Sequence, residues 1–262
     1  MTTTAHVISL DKDNFGVFMD MISILSKACD DLVIKNGIIC QKSNKRSLIM
    51  QVDMTHILGD VDLLMSNIPI KEKLLTPFRR QGAAMDLIIN NDGYEFQEQE
   101  SKINFKKPLE NYLTNKYMPV ENLATTLNID DNGKILDREI GKHLIERVPT
   151  LTEALGATLI QVDFQDRKAS YKIRPADTNS TTVGTLMVVE DLEQEIEGFC
   201  AFPVEPFQVN VDSFDSQMWY THANSDGDRN VIMRLDAFVD GGQNVPMTLW
   251  SLSQIKSLDE LT

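Results

Sequence analysis

Residues 13–52 read DNFGVFMDMISILSKACDDLVIKNGIICQKSNKRSLIMQV, and the change of period inside this stretch decides the fold. From residue 13 to 29, Phe15, Phe18, Met19, Ile22, Leu25 and Ala28 fall on one side of a 3.6-residue repeat, with Gly16, Asp20, Ser23 and Lys27 opposite. The pattern predicts an amphipathic helix capped by Asp13 or Asn14. Residues 32–40 and 47–54 then read as strands on either side of the polar turn Ser43-Asn44-Lys45-Arg46. The local unit is a helix lying on a hairpin.

The same plan continues outward. A short strand is expected at 60–64, and 70–81 is a basic helical segment in which Leu74, Leu75 and Phe78 share a face despite Pro77. Strands at 85–89, 94–99 and 102–106 surround the turn Asn90-Asn91-Asp92-Gly93. In the second half Ile140, Leu144, Ile145, Val148, Leu151 and Leu155 mark a helix that Pro149 is expected to kink or break. Strands follow at 158–164, 169–174, 183–189, 217–222, 230–238 and 246–252, with a short helix at 202–211 and a hairpin tip at Asp226-Gly227-Asp228. Each half therefore runs helix, strands, helix, strands, an internal repeat too diverged to show as identity. The expected class is α+β, with two similar domains at 1–107 and 133–262 joined by a connector at 108–132.

Composition narrows the function. With 262 residues, 42% of them apolar, the chain can fill a core in each half. It lacks a long apolar run and a basic-then-apolar start, so a soluble, cytoplasmic protein without membrane contact is expected. Cys29, Cys40 and Cys200 are too few and too scattered for a disulfide framework, and read as core thiols. His6, His56, His143 and His222 form no metal spacing. No nucleophile elbow, phosphate-binding glycine loop or dinucleotide fingerprint occurs, so neither catalysis nor a cofactor is expected. Residues 128–139 do match a calcium loop in part, with Gly133 at its sixth and Glu139 at its twelfth position. Asn128 stands where the first aspartate belongs and no second loop pairs with it, so the stretch is read as a turn with no metal. A calcium-binding regulatory protein stays open as an alternative, as does a β-rich viral structural or assembly protein.

The net charge of −14 argues against nucleic acid until its distribution is considered. Residues 175–228 contain no Lys or Arg, whereas cations gather at Lys71, Lys73, Arg79 and Arg80 and at Arg138, Lys142 and Arg147. Such segregation implies two faces with different neighbours.

The stretch 15–52, with Ala28-Cys29-Asp30, Asn36-Gly37-Ile38, Gln41 and Ser47-Leu48-Ile49-Met50-Gln51, resembles the opening of sliding clamps of the proliferating-cell nuclear antigen class. Phe207-Gln208-Val209-Asn210-Val211, Met218-Trp219-Tyr220 and 230–235 resemble the last third of the two-domain clamps of T-even-type phages, and Val245-Pro246-Met247 the approach to the last strand of the nuclear clamps. The resemblance implies a homotrimeric ring of six domains, with inward helices around double-stranded DNA and sheets outside. It implies a viral processivity factor that is not an enzyme and whose partners are DNA polymerase and a clamp loader. Candidates for the bore are then Lys12, Lys27, Lys71, Lys73, Arg79, Arg80, Arg138, Lys142, His143 and Arg147. Lys102, Lys106 and Lys107 would meet Glu190, Asp191 and Glu193 of a neighbouring subunit. Leu127, Ile129, Pro246, Met247 and Trp250 would line a pocket for partner peptides.

Overall fold

The computed structural model describes residues 5–108, 117–119, 123, 127, 134–137, 142–157, 159–173, 184–190, 192, 197–208, 216–223, 229–239 and 245–253. For 134–137, 142–147, 149, 184–189, 208, 216–223 and 229–230 only the backbone is described. Along the chain, one strand, one helix and three strands recur four times. The first unit is β1 (His6–Leu10), α1 (Lys12–Leu25), β2 (Leu32–Lys35), β3 (Ile38–Lys42) and β4 (Leu48–Asp53). After the single-turn α2 (Thr55–Leu58) come β5 (Leu63–Met65), α3 (Ile68–Gln81), β6 (Met85–Ile89), β7 (Gly93–Glu98) and β8 (Ser101–Lys106). The third unit is β9 (Lys134–Asp137), α4 (Lys142–Leu155), β10 (Leu159–Gln165), β11 (Lys168–Ile173) and β12 (Gly184–Val189). The fourth is β13 (Gly198–Pro203), a 3₁₀ turn at Glu205–Gln208, β14 (Ser216–Ala223), β15 (Arg229–Phe238) and β16 (Pro246–Leu252).

Within each half the units exchange their lead strands. β1 completes the sheet β1-β6-β7-β8, and β5 pairs with β2; likewise β13 pairs with β10, and β9 with β14. Every pairing is antiparallel. β4 then pairs with β16, Leu48 opposite Ser251 and Val52 opposite Met247, which fuses two four-stranded sheets into β5-β2-β3-β4-β16-β15-β14-β9. The α+β class with two similar domains is what the sequence predicts.

Local chemistry explains the elements and the departures from expectation. α1 is capped by Asp11, not by the expected Asp13 or Asn14, the Asp11 carboxylate accepting from the Asn14 amide at 2.8 Å. Residues 32–40 are not one strand. Asn36 and Gly37 both adopt positive φ, 49° and 74°, the requirement of a tight hairpin turn, and they fold the segment into β2 and β3. A Cβ on Gly37 would sit 2.3 Å from the Gly59 carbonyl oxygen. α3 runs through Pro77 and α4 through Pro149 without interruption, so of the kink or break expected at Pro149 the break does not occur. At Pro77 the ring lies on an exposed face, where the carbonyl that loses its donor can turn to water. The predicted helix at 202–211 is, as far as it is described, the one turn at Glu205–Gln208 preceded by β13.

The core is one continuous cluster across both halves, joining Phe15, Phe18, Ile22 and Leu25 of α1 to Leu32, Met50, Phe96, Tyr171, Met233 and Leu249 of the sheets. Helix α1 packs against one face of the eight-stranded sheet. On the other face Cys40, Ile49, Ile232 and Trp250 form a second cluster with Leu123, Leu127, Tyr117 and Met118 of the connector. A polar joint reinforces the β4–β16 ladder. Glu205, 6% exposed, accepts from Ser43 Oγ at 3.2 Å and from Ser47 Oγ, so a carboxylate of the second half is held by two hydroxyls of the first.

Candidate nucleic-acid interface

α1 and α3 pack side by side, and three contacts fix them as antiparallel. The Lys12 stem lies over Gly82 at the end of α3, Asp20 pairs with Arg79, and Ser26 donates to Glu72 at 2.9 Å near its start. The outward side of this pair carries Lys12, Arg79 and Arg80 at one end and Lys27 and Lys73 at the other, all exposed. The Arg79 charge is answered by Asp20, which leaves Lys12, Lys27, Lys73 and Arg80 as the cations of this face. Lys12 also sits at the C-terminal end of α3, where the helix dipole favours a cation.

Lys71 does not belong to that set. It is 7% exposed, its Nζ donates to the Ser66 carbonyl, and it lies 5.1 Å from the centre of the Phe105 ring. Burial pulls its ammonium below the usual lysine range, against the Asp31 charge that raises it. The sequence pattern could have revealed this, since Lys71 lies one turn before Leu75 on the core-facing side of α3. Arg138 and the side chains of Lys142, His143 and Arg147 lie outside the described residues, although the α4 backbone is described. Residues 1–107 hold 13 Lys and Arg against 14 Asp and Glu, so nearly all of the net charge of −14 lies beyond residue 107.

Of the residues assigned to a peptide pocket, Leu127 and Trp250 do meet on the outer face of the large sheet, with Arg234 5.1 Å from the Trp250 ring centre. Met247 is on the opposite face, in the helix-side core, because odd residues of β16 point inward and even ones outward. Pro246 is exposed, and Ile129 lies outside the described residues. Sequence reasoning missed Tyr117, Met118, Leu123, Cys40, Ile49 and Ile232, which complete the cluster. The connector is anchored there by its backbone: the Met118 amide donates to the Cys40 carbonyl at 2.7 Å, and Tyr117 bridges to Gln41. Buried Gln41 ties β3 to the start of β2, accepting from the Val33 amide at 2.9 Å and donating to the Asp31 carbonyl at 2.9 Å.

At the sheet ends, β8 pairs with β7 alone and β12 with β11 alone among the described residues. β8 turns Ile103 and Phe105 inward and leaves Lys102 and Lys106 exposed. Lys102 stands 4.0 Å from Glu95. The backbone amide of Lys107 donates to the Asp92 carbonyl at 2.8 Å. Beyond β12, Glu190 is exposed and pairs with Lys168 at 2.8 Å, which holds its carboxyl below the usual range. Asp191 and Glu193 lie outside the described residues. The second half of the calcium-like stretch is occupied by β9, whose Lys134–Asp137 pair with Tyr220–Gln217, so a ladder strand stands there.

No protein-family model and no curated protein sequence matches the chain. Solved structures do. The proliferating cellular nuclear antigen of Entamoeba histolytica superposes with a TM-score of 0.61 at 12% identity, over 96% of this chain and 98% of that one. The PCNA of A. fulgidus, solved with the C-terminal region of FEN-1 bound, gives 0.62 at 8% identity over 96% and 99%. The PCNA of Thermococcus kodakaraensis gives 0.56 at 13% identity over 96% and 100%. At such low identities the likeness establishes the architecture, a PCNA-like clamp fold matched over 96% of the chain.

Proposed function

We propose that the chain is the subunit of a homotrimeric sliding clamp that encircles duplex DNA and tethers a replicative DNA polymerase, without catalysis of its own. One observation carries this reading. Within each half the two units are related by exchange of lead strands, so β4 corresponds to β8 and β16 to β12. β4 and β16 are joined inside the chain, whereas β8 and β12 each end a sheet with no partner on their outer side among the described residues. The β8 edge of one copy meeting the β12 edge of the next repeats the β4–β16 junction head to tail, a heterologous contact that generates a ring when the rotation closes. The cations on β8 and the carboxylate at the end of β12 favour that pairing over β8 with β8.

In such a ring the α1–α3 face turns toward the hole. Lys12, Lys27, Lys73 and Arg80 would contact phosphates without reading bases, which suits sliding, and Arg138, Lys142, His143 and Arg147 are proposed for the second domain. The outer cluster around Trp250 and Leu127 is the proposed seat for apolar residues of polymerase or loader peptides; in A. fulgidus PCNA a C-terminal region of FEN-1 is bound. The likeness of the closing stretch to T-even-type phage clamps is the ground for assigning a viral replication system, active in the host cytoplasm.

The test is topological. Subunits mixed with nicked circular plasmid at concentrations that saturate assembly should stay bound through a high-salt wash, and should be lost when the plasmid is cut once. Equal loss from circular and linear DNA would overturn the reading.

A further inference from the structure

A cleft lies on the face of the β12-β11-β10-β13 sheet that points away from the core. In β10, Ile160, Val162 and Phe164 enter the core, whereas Gln161, Asp163 and Gln165 stand on the other side. Antiparallel register sets Asp163 opposite Phe199 of β13 and Gln161 opposite Lys172 of β11. Gln161, Asp163, Gln165, Glu197 and Phe199 line a cleft of about 330 Å³.

Its chemistry is that of an acceptor. Gln161 is only 6% exposed, and its Nε2 donates to Asp163 Oδ1. That bond fixes the amide, since the reverse orientation would set two acceptors against each other. Oε1 of Gln161 is then buried with no donor among the described residues, a costly state for a native protein to keep. Lys172 answers Asp163 and Lys168 answers Glu190, so Glu197, which is exposed, supplies the negative charge at the mouth. Phe199, 40% exposed, stands beside it in the lining.

We infer that this cleft receives an arginine side chain of a protein partner. A guanidinium is flat and carries five donors in a fixed fork, so it can donate to the Gln161 oxygen and to Glu197 or Asp163 while stacking on Phe199. Lysine offers one compact charge and no plane to stack. The site is separate from the connector cluster around Trp250 and does not depend on ring formation, so a partner could use both at once.

The test is an amide NMR titration of the full chain with the peptide acetyl-Gly-Arg-Gly-amide, and in parallel with its citrulline counterpart, which has the same shape without the charge. Saturable shifts confined to residues 161–165 and 197–199 are expected with arginine, and binding at least about tenfold weaker with citrulline. Phe199→Ala and Glu197→Gln, both on exposed positions, should each weaken arginine binding by about fivefold or more while leaving the rest of the spectrum unchanged. Absence of localised shifts, equal binding of citrulline, or indifference to both substitutions would overturn the proposal.

Discussion

Replacing Glu205 with alanine probes the joint between the two halves. The carboxylate accepts from Ser43 Oγ at 3.2 Å and from Ser47 Oγ, and Ser251 Oγ of β16 donates to the Ser47 carbonyl at 3.4 Å, so Ser47 is held by both Glu205 and β16. Ser43 is itself buried, whereas Ser47 is half-buried and can turn to water. Removing the acceptor orphans the Ser43 hydroxyl, at about 1–3 kcal/mol, and exchanges the Ser47 bond for one to solvent, at about 1 kcal/mol. Relief of the buried charge offsets part of this, so Glu205→Ala should cost about 2–3 kcal/mol and Glu205→Gln, which keeps an acceptor, about half as much. Urea unfolding with a double-mutant cycle against Ser43→Ala is the assay, and a coupling of about 1–2 kcal/mol is expected. A loss below about 0.5 kcal/mol, or zero coupling, would refute the view that this joint stiffens the β4–β16 junction.

Other expectations can be measured independently. Lys102→Glu combined with Lys106→Glu should weaken self-association by about tenfold or more in sedimentation experiments, with little effect on subunit stability because both positions are exposed; unchanged assembly would count against the β8 edge. Lys73→Glu and Arg80→Glu should reduce DNA retention and flatten its salt dependence by about one phosphate contact each, whereas Lys71→Met should leave the salt slope unaltered. Gly16→Ala should stabilise by about 0.5–1 kcal/mol, since α1 has open space at that Cβ, while Gly37→Ala should destabilise. At Asp62, burial raises the carboxyl pKa, but the Asn36 amide, Lys35 and Lys107 lower it further, so the net value falls below the usual 3.8. Its stabilising effect is present above that usual value and fades as pH falls through the lower folded-state value. The gap between wild type and Asp62→Asn in denaturant melts should therefore close in acid.

The elements with a strong internal period were legible in the sequence. α1 was, because six apolar residues repeat on one side, and so were the strands β6, β7 and β8 around their polar turns. The lead strands were not, with only β5 foreseen. β1, β9 and β13 are short and find their partners in another unit, so no local turn marks them. Asn36-Gly37 carried a hairpin signal that the surrounding apolar run concealed. Lys71 was misassigned by charge alone, where helical phase places it beside Phe105. Met247 was grouped with Trp250 although strand alternation separates residues three apart onto opposite faces. The outer cluster is half visible in the sequence: the resemblance points to Trp250 and Leu127, but Cys40, Ile49 and Ile232 come from distant strands that only the β3–β4–β16–β15 order brings together.

The central claim is head-to-tail closure through β8 and β12, and particle images of the purified full chain by electron microscopy test it most directly. The account predicts a closed three-fold annulus whose hole admits a DNA duplex. Solid particles without a hole, or open filaments that never close, would contradict it.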